Sequence, residues 1–145
     1  MATLTPLKIT EAGTTAGTTA VAVAGDEFKN TGVEFIRISN YHRTNTYTIK
    51  VEVQNQAVIH PQYGTTTKNH VYKAIASPGS GASANVGEIT AYIGPFKPKA
   101  FNDANGKVKV YYKTGSVASD SGFSGASAIP SSNALLEIDI VYLEN

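Results

Sequence analysis

Three histidines, His42, His60 and His70, are the side chains of this 145-residue chain best suited to metal binding or to proton transfer near neutral pH. They fall in a polar turn, at a strand end and at a strand start, and none is spaced like a metal-binding pair. The 11 carboxylates are scattered, and nothing marks two of them as an inward pair for glycoside cleavage. Serine is plentiful, but there is no G-x-S-x-G elbow and no glycine loop opening a helix to hold phosphate. Cysteine is absent, which excludes thiol catalysis, thiolate zinc sites and disulfides. "DANG", Asp103 to Gly106, resembles the opening of a calcium loop, yet Tyr112 stands where such a loop needs its glutamate. Asn105-Gly106 reads instead as a tight hairpin turn. The expectation is a catalytically silent chain with no cofactor and no metal.

Lysine offers another kind of chemistry. Lys97, Lys99, Lys107, Lys109 and Lys113 lie within one short stretch, with Asp103 as the single acid among them. Lys107, Lys109 and Lys113 share one strand parity. They could form a basic stripe against an acidic partner surface, or a solvated face that keeps an edge strand from aggregating. No aromatic side chain clearly interleaves them to stack on bases, so nucleic acid is not an expected partner. The net charge of +1 creates no global field toward nucleic acid or anionic lipid. No apolar run approaches the roughly 18 residues of a membrane span, so no membrane partner is expected. "AVAVAG" (Ala20 to Gly25) mimics a signal-peptidase site, but threonines and Glu11 fill the place of an apolar h-region.

The elements that must position these residues read as strands. Hydrophobic residues make up 41% and charged residues only 16%, so the polar surface falls to Thr, Ser, Asn and Gly, a β-rich composition with Tyr, Val and Ile. No window carries an apolar stripe at helical spacing over three turns. "VEFIRIS" (Val33 to Ser39) has apolar residues on both faces. "TYTIKVEV" (Thr46 to Val53) alternates, with Tyr47, Ile49, Val51 and Val53 inward and Thr46, Thr48, Lys50 and Glu52 outward, and with its predecessor it predicts a hairpin. Shorter strands are expected in Gln56–Gly64, His70–Ala76 and Glu88–Phe96. "KVKVYYK" (Lys107 to Lys113) turns Val108, Val110 and Tyr112 inward. "ALLEIDIVYL" (Ala134 to Leu143) turns Leu136, Ile138, Ile140 and Tyr142 inward and Glu137 and Asp139 to water. Two Ser/Gly-rich stretches, Ser77–Gly87 and Thr114–Asn133, read as loops. Seven or eight strands spaced by turns predict a single-domain, all-β antiparallel sandwich of jelly-roll type over residues 25–145. Residues 1–24 read as an extended N-terminal arm or as an edge strand. The arm alternative has the body folding without roughly the first 20 residues, because so few large apolar side chains cannot offset their ordering entropy.

"GDEFKNTGVEFIRISN" (Gly25 to Asn40), the T-x-T-I strand after it, and "IGPFKPKAFNDANGKVKVYY" (Ile93 to Tyr112) together resemble small tailed-phage proteins thought to decorate and cement capsids. Gly25, Asp26, Phe28, Asn30 and Gly32 match a G-D-x-F-x-N-x-G entry. Gly94, Pro95, Phe96, Pro98, Phe101, Asn102, Asp103, Gly106 and Val108 match the later segment, and "LTPLKITEAGTT" (Leu4 to Thr15) is also of the kind. "HPQYGTTTKNHVYKAIASPGSGASANVG" (His60 to Gly87) and the Ser/Gly-rich stretch after Lys113 look like insertions relative to short members. The residues of "GPFKPKAFND" read as a crossover between sheets: Pro95 and Pro98 stop strand pairing, and Phe96 and Phe101 anchor it in the core. The resemblance implies a virion structural protein on the capsid exterior, with the major capsid protein as partner and a homo-oligomer, a trimer in such families. Candidate partner contacts are Leu4, Leu7 and Ile9 of the opening segment and Lys97, Lys99, Lys107 and Lys109. Another virion β-domain (tail or head fibre) remains an alternative. So does a carbohydrate-binding or adhesive sandwich, for which Tyr41, Tyr63 and Tyr111 could serve as platforms.

Overall fold

The computed structural model describes residues 1–14, 19–55, 57–60, 64–67, 69–79, 88–123 and 135–143. Tyr63 and most of the two Ser/Gly-rich stretches, 80–87 and 124–134, lie outside them. The described residues form, in order, β1 (Ala2–Leu4), β2 (Leu7–Ile9), β3 (Thr19–Ala20), β4 (Asp26–Lys29), β5 (Phe35–Asn40), β6 (Tyr47–Val51), β7 (Ala57–His60), β8 (Gly64–Thr67), β9 (Val71–Ile75), β10 (Ile89–Ile93), α1 (Pro98–Phe101), β11 (Lys107–Thr114), α2 (Asp120–Phe123) and β12 (Leu136–Leu143), the two helices being single turns. Sheet A has the order β1-β4-β11-β6-β9. Sheet B has the order β10-β5-β12-β2, with β3 also on β12, and β7-β8 form a separate hairpin. The two sheets face each other across one core, so the fold is the all-β sandwich that composition and alternation predict.

Strand parity sets the core. Across sheet A, Val108 stands opposite Phe28, and Tyr112 opposite Ile49; across sheet B, Ile38 stands opposite Ile138, and Ile36 opposite Ile140. All of these are essentially inaccessible. Each such side chain contributes about 1.5–3 kcal/mol relative to exposure.

Several expectations need correction. β5 and β6 are not a hairpin: β5 pairs with β10 and β12, while β6 pairs with β11 and β9, so the chain changes sheet between them. The fully buried Asn40 directs this crossing. Its amide donates to the carbonyls of Asn45, Ile75 and Ala76, and its Oδ1 accepts the amide N–H of His42. Asp139 does not face water but is 9% exposed and takes a 2.9 Å ion pair from Arg37, while Tyr142 is only half-buried. Thr48 is buried, because the chain after β11 folds back over it: its hydroxyl donates to the Gly115 carbonyl and accepts the Val117 N–H. The turn before β11 is not a primed hairpin turn, since among the described residues only glycines have positive φ; Gly106 has φ +74 and Asn105 does not. Asp103 Oδ1 closes this turn by accepting the N–H groups of Asn105 and Lys107.

The sandwich is also not purely antiparallel. β1 runs parallel to β4 at the edge of sheet A, and β2 runs parallel to β12 at the edge of sheet B. Residues 5 and 6 cross between the sheets, so the opening nine residues stitch both edges on one side of the body. β3 then pairs antiparallel with β12 at Glu137 and Ile138.

The crossover of Gly94–Asn102 leaves sheet B at β10 and enters sheet A at β11, as its prolines and phenylalanines imply. Phe96 and Phe101 are 2% and 3% exposed, stacked edge-on at 5.2 Å, and Phe96 meets Phe28 at 6.1 Å. Asn30 holds the passage through its side-chain amide, which donates to the Phe96 carbonyl and, at 2.6 Å, to Asn102 Oδ1. Asn102 returns a bond to the Asn30 carbonyl. Gly94 is required here, because at φ +133 an added Cβ would lie 3.0 Å from the Glu34 carbonyl oxygen. The two stretches that carry the resemblance are therefore one packed unit.

Candidate docking face

The outer surfaces of the two sheets differ. On sheet A, β11 presents Lys107, Lys109 and Lys113 outward between the buried Val108, Val110 and Tyr112. The charges of Lys107 and Lys109 are met within the chain. Lys107 Nζ lies 2.5 Å from Glu27 Oε1, and Thr3 donates to the same carboxylate oxygen. Lys109 lies 3.9 Å from Asp103. The Lys107 ammonium and the Thr3 hydroxyl hold Glu27 below the usual carboxylate range.

The chain after β11 folds over part of this surface, above Thr48, Lys50 and Tyr72. Asp120 Oδ1 accepts 2.6 Å bonds from Lys50 Nζ and the Tyr72 hydroxyl, and Oδ2 lies 3.2 Å from His70 Nε2. His70 is fixed from its other nitrogen, which accepts the Val53 N–H. Phe123 packs on Tyr72 at 5.6 Å. Bonds from Lys50 and Tyr72 lower the Asp120 pKa, while burial and the Asp120 carboxylate push Tyr72 up to about 12. Sequence reading missed this cluster, because Lys50 and Asp120 are 70 residues apart and no local pattern joins them. Beside it lies a cleft of about 360 Å³ lined by Asn69, His70, Tyr72, Ala118, Ser119 and Asp120.

Sheet B is polar at one end of its outer face. There Arg37 pairs with Asp139, with Glu88 at 3.9 Å, and Ser39 and Thr90 share a 2.7 Å bond. Hydrogen bonding to Glu88 and partial burial push Tyr41 up to about 12. At the other end the polarity disappears. Ile9, Phe35, Tyr92, Val141, Tyr142 and Leu143, from β2, β5, β10 and β12, line an apolar groove of about 230 Å³. Tyr92 and Leu143 are each 64% exposed. Large apolar side chains gathered on an open sheet face are the ordinary mark of a protein contact surface.

The sequence-derived partner residues therefore do not form one site. Ile9 lines the groove, and Leu7 is half-buried beside Val141 on the same sheet. Leu4 is withdrawn from partners: it stands opposite Phe28 and is 9% exposed within the core. Lys97 and Lys99 are exposed on the crossover turn, and Lys107 and Lys109 belong to the opposite sheet. Phe35, Tyr92 and Leu143 escaped sequence reading. Their outward parity was legible, but which outward face stays uncovered depends on the later return of residues 115–123 over sheet A.

His42 serves its own turn, with Nδ1 accepting the N–H groups of Thr44 and Asn45. Among the described residues, no group of three or more His, Asp or Glu could hold a metal ion, and no helix is long and apolar enough to cross a membrane.

Fold and surface define an all-β sandwich with one outer face rich in ion pairs and one outer face that is polar at one end and apolar at the other. No protein-family model matches the chain, nor does any curated protein or solved structure.

Proposed function

We propose that this chain is a non-catalytic virion protein that binds the outside of an assembled phage capsid and bridges neighbouring capsomers. The observation that carries the reading is the open apolar end of sheet B, with Tyr92 and Leu143 standing out from it. The resemblance of Gly25–Asn40 and Ile93–Tyr112 to capsid decoration proteins supplies the identity of the partner. A shell filled with packed DNA is under tension, and each bridging domain adds interface that must be lost before capsomers separate. A standard interface buries roughly 800 Å² per partner, and its effect is multiplied over the copies on a shell.

The test is co-sedimentation of the purified protein with heads of the phage whose genome encodes it. Wild type should sediment with the heads, and Tyr92→Ser with Leu143→Ser should weaken binding at least about tenfold, or about 1.4 kcal/mol. Heads that leave wild type in the supernatant overturn the reading. The cleft beside Asp120 favours a second reading, glycan binding, since its amide, carboxylate and hydroxyl groups suit sugar hydroxyls. Glycan-array binding that Asp120→Ala abolishes would establish it.

A further inference from the structure

We infer that residues 1–9 are exchangeable between copies of this chain, each copy's β1 and β2 completing the sheets of a neighbour. The segment makes two parallel pairings of three residues each, at the outer edges of β4 and β12. Of its nine side chains only Leu4 is buried. Beside it is a partly open cleft of about 140 Å³ lined by Leu4, Thr5, Leu7, Thr19, Ile138, Asp139 and Ile140, so the segment does not pack tightly along its length. The segment is thus recognised through backbone edges, one buried leucine and the Thr3–Glu27 bond, and another copy offers the same groups in the same register.

The connection permits the transfer. Nine residues separate Ile9 from Thr19, a contour of roughly 30 Å when extended. Among the described residues, the turn that returns the chain is held by surface bonds: Gly13 N–H donates to the Thr10 carbonyl, the Thr10 hydroxyl to the Gly13 carbonyl and the Thr14 hydroxyl to the Lys8 carbonyl, while Thr14 Oγ1 accepts the Thr10 N–H. Opening it exposes no core. Removing the segment leaves two bare edges, on β4 and on β12, and a donated segment closes both at once. Donation around a closed ring therefore leaves neither the β4 edge nor the β12 edge unpaired in any copy. Since the β1 and β2 pairings are kept and only the surface bonds of the turn are lost, the equilibrium between self-pairing and exchange depends on local concentration. The inference is independent of the capsid reading, because it concerns the purified protein alone.

The chain has no cysteine, so single thiols can report the pairing. Thr3 and Glu27 are register partners on β1 and β4. Thr3→Cys and Glu27→Cys are made as separate proteins, mixed at high concentration, oxidised, and read by intact mass for the mixed disulfide dimer. Thr3→Cys mixed with Thr44→Cys, whose site is exposed and outside the pairing, gives the collisional background. Exchange holds the two thiols at millimolar effective concentration, so the mixed dimer should exceed background at least about tenfold. The double variant Thr3→Cys/Glu27→Cys at high dilution should close within one chain, which shows that the pair can be bridged. If it closes while mixed dimers stay at background, the inference is wrong. If the double variant does not close, the same mixing with Leu7→Cys and Val141→Cys decides the matter, and background dimers there overturn the inference.

Discussion

Asp26 is the residue whose chemistry is least expected of scaffold. It points inward on β4, 1% exposed, in the same strand as the buried Phe28. Oδ2 accepts the Ala22 N–H at 3.0 Å and the Tyr112 hydroxyl at 2.7 Å, while Oδ1 has no partner among the described residues. Burial raises its pKa, and the bonds from Tyr112 and Ala22 offset this only in part. A carboxyl with a raised folded-state pKa binds its proton more tightly folded than unfolded. Its stabilising contribution is complete below the unfolded value and is lost as pH rises through the folded one. Glu27, Glu34, Glu88, Asp103 and Asp120 are shifted the other way, so their contributions are present above the unfolded carboxylate range and fade only as pH falls through their lowered values. Those groups are common to wild type and Asp26→Asn and cancel in the difference between the two. The asparagine keeps an acceptor for Ala22 and Tyr112 without a charge. The melting temperature of Asp26→Asn minus that of wild type should therefore rise as pH increases above the unfolded carboxylate value of about 4, and level off once pH passes the raised folded value. A difference that is flat with pH would show that Asp26 titrates normally in the folded protein.

At the scale of elements, the crossover and the opening segment carry opposite lessons about what a sequence displays. The crossover was legible because its residues act locally: prolines that cannot pair, phenylalanines that must be buried, and a glycine that closes a turn. Phe96→Ala and Phe101→Ala should each cost about 3–5 kcal/mol in thermal or denaturant unfolding, the usual cost of deleting a buried ring. Asn30→Ala should cost about 1–3 kcal/mol, since it strips an amide from the Phe96 carbonyl and from Asn102. Wild-type stability in all three variants would mean that the passage is not held by these groups. The opening segment was only half legible. Its lack of large side chains argued equally for an arm and for an edge strand, and edge pairing is a property of the whole sheet that no window of sequence contains. The same limit explains the false hairpin, because the alternation of β5 and β6 gives their faces but not their neighbours. With Leu4 in the core, Leu4→Ala should cost about 2–3 kcal/mol, and removing residues 2–9 should lower the melting temperature of a dilute sample. An unchanged melt after the truncation would restore a purely external arm.

Across the whole molecule the two outer faces make rival predictions about how a partner is held. Docking through the lysines of β11 and of the crossover would be electrostatic at exposed sites, and salt would screen it over a Debye length of about 8–10 Å at ordinary ionic strength. Lys107 and Lys109 are already engaged by Glu27 and Asp103, so transferring them to a partner would break existing pairs for little net gain. Docking through Ile9, Phe35, Tyr92, Val141 and Leu143 would bury apolar surface, an interaction that salt does not screen. Head binding by the wild type should then change by less than about threefold as salt rises from roughly 0.05 to 0.5 M, and its heat-capacity change should be negative. Lys97→Glu with Lys99→Glu should leave affinity within about threefold, whereas Leu143→Asp should reduce it at least tenfold with little change in melting, because Leu143 is already largely in water. Steep loss of binding with salt, together with insensitivity to Leu143→Asp, would move the contact surface to the lysines and away from sheet B.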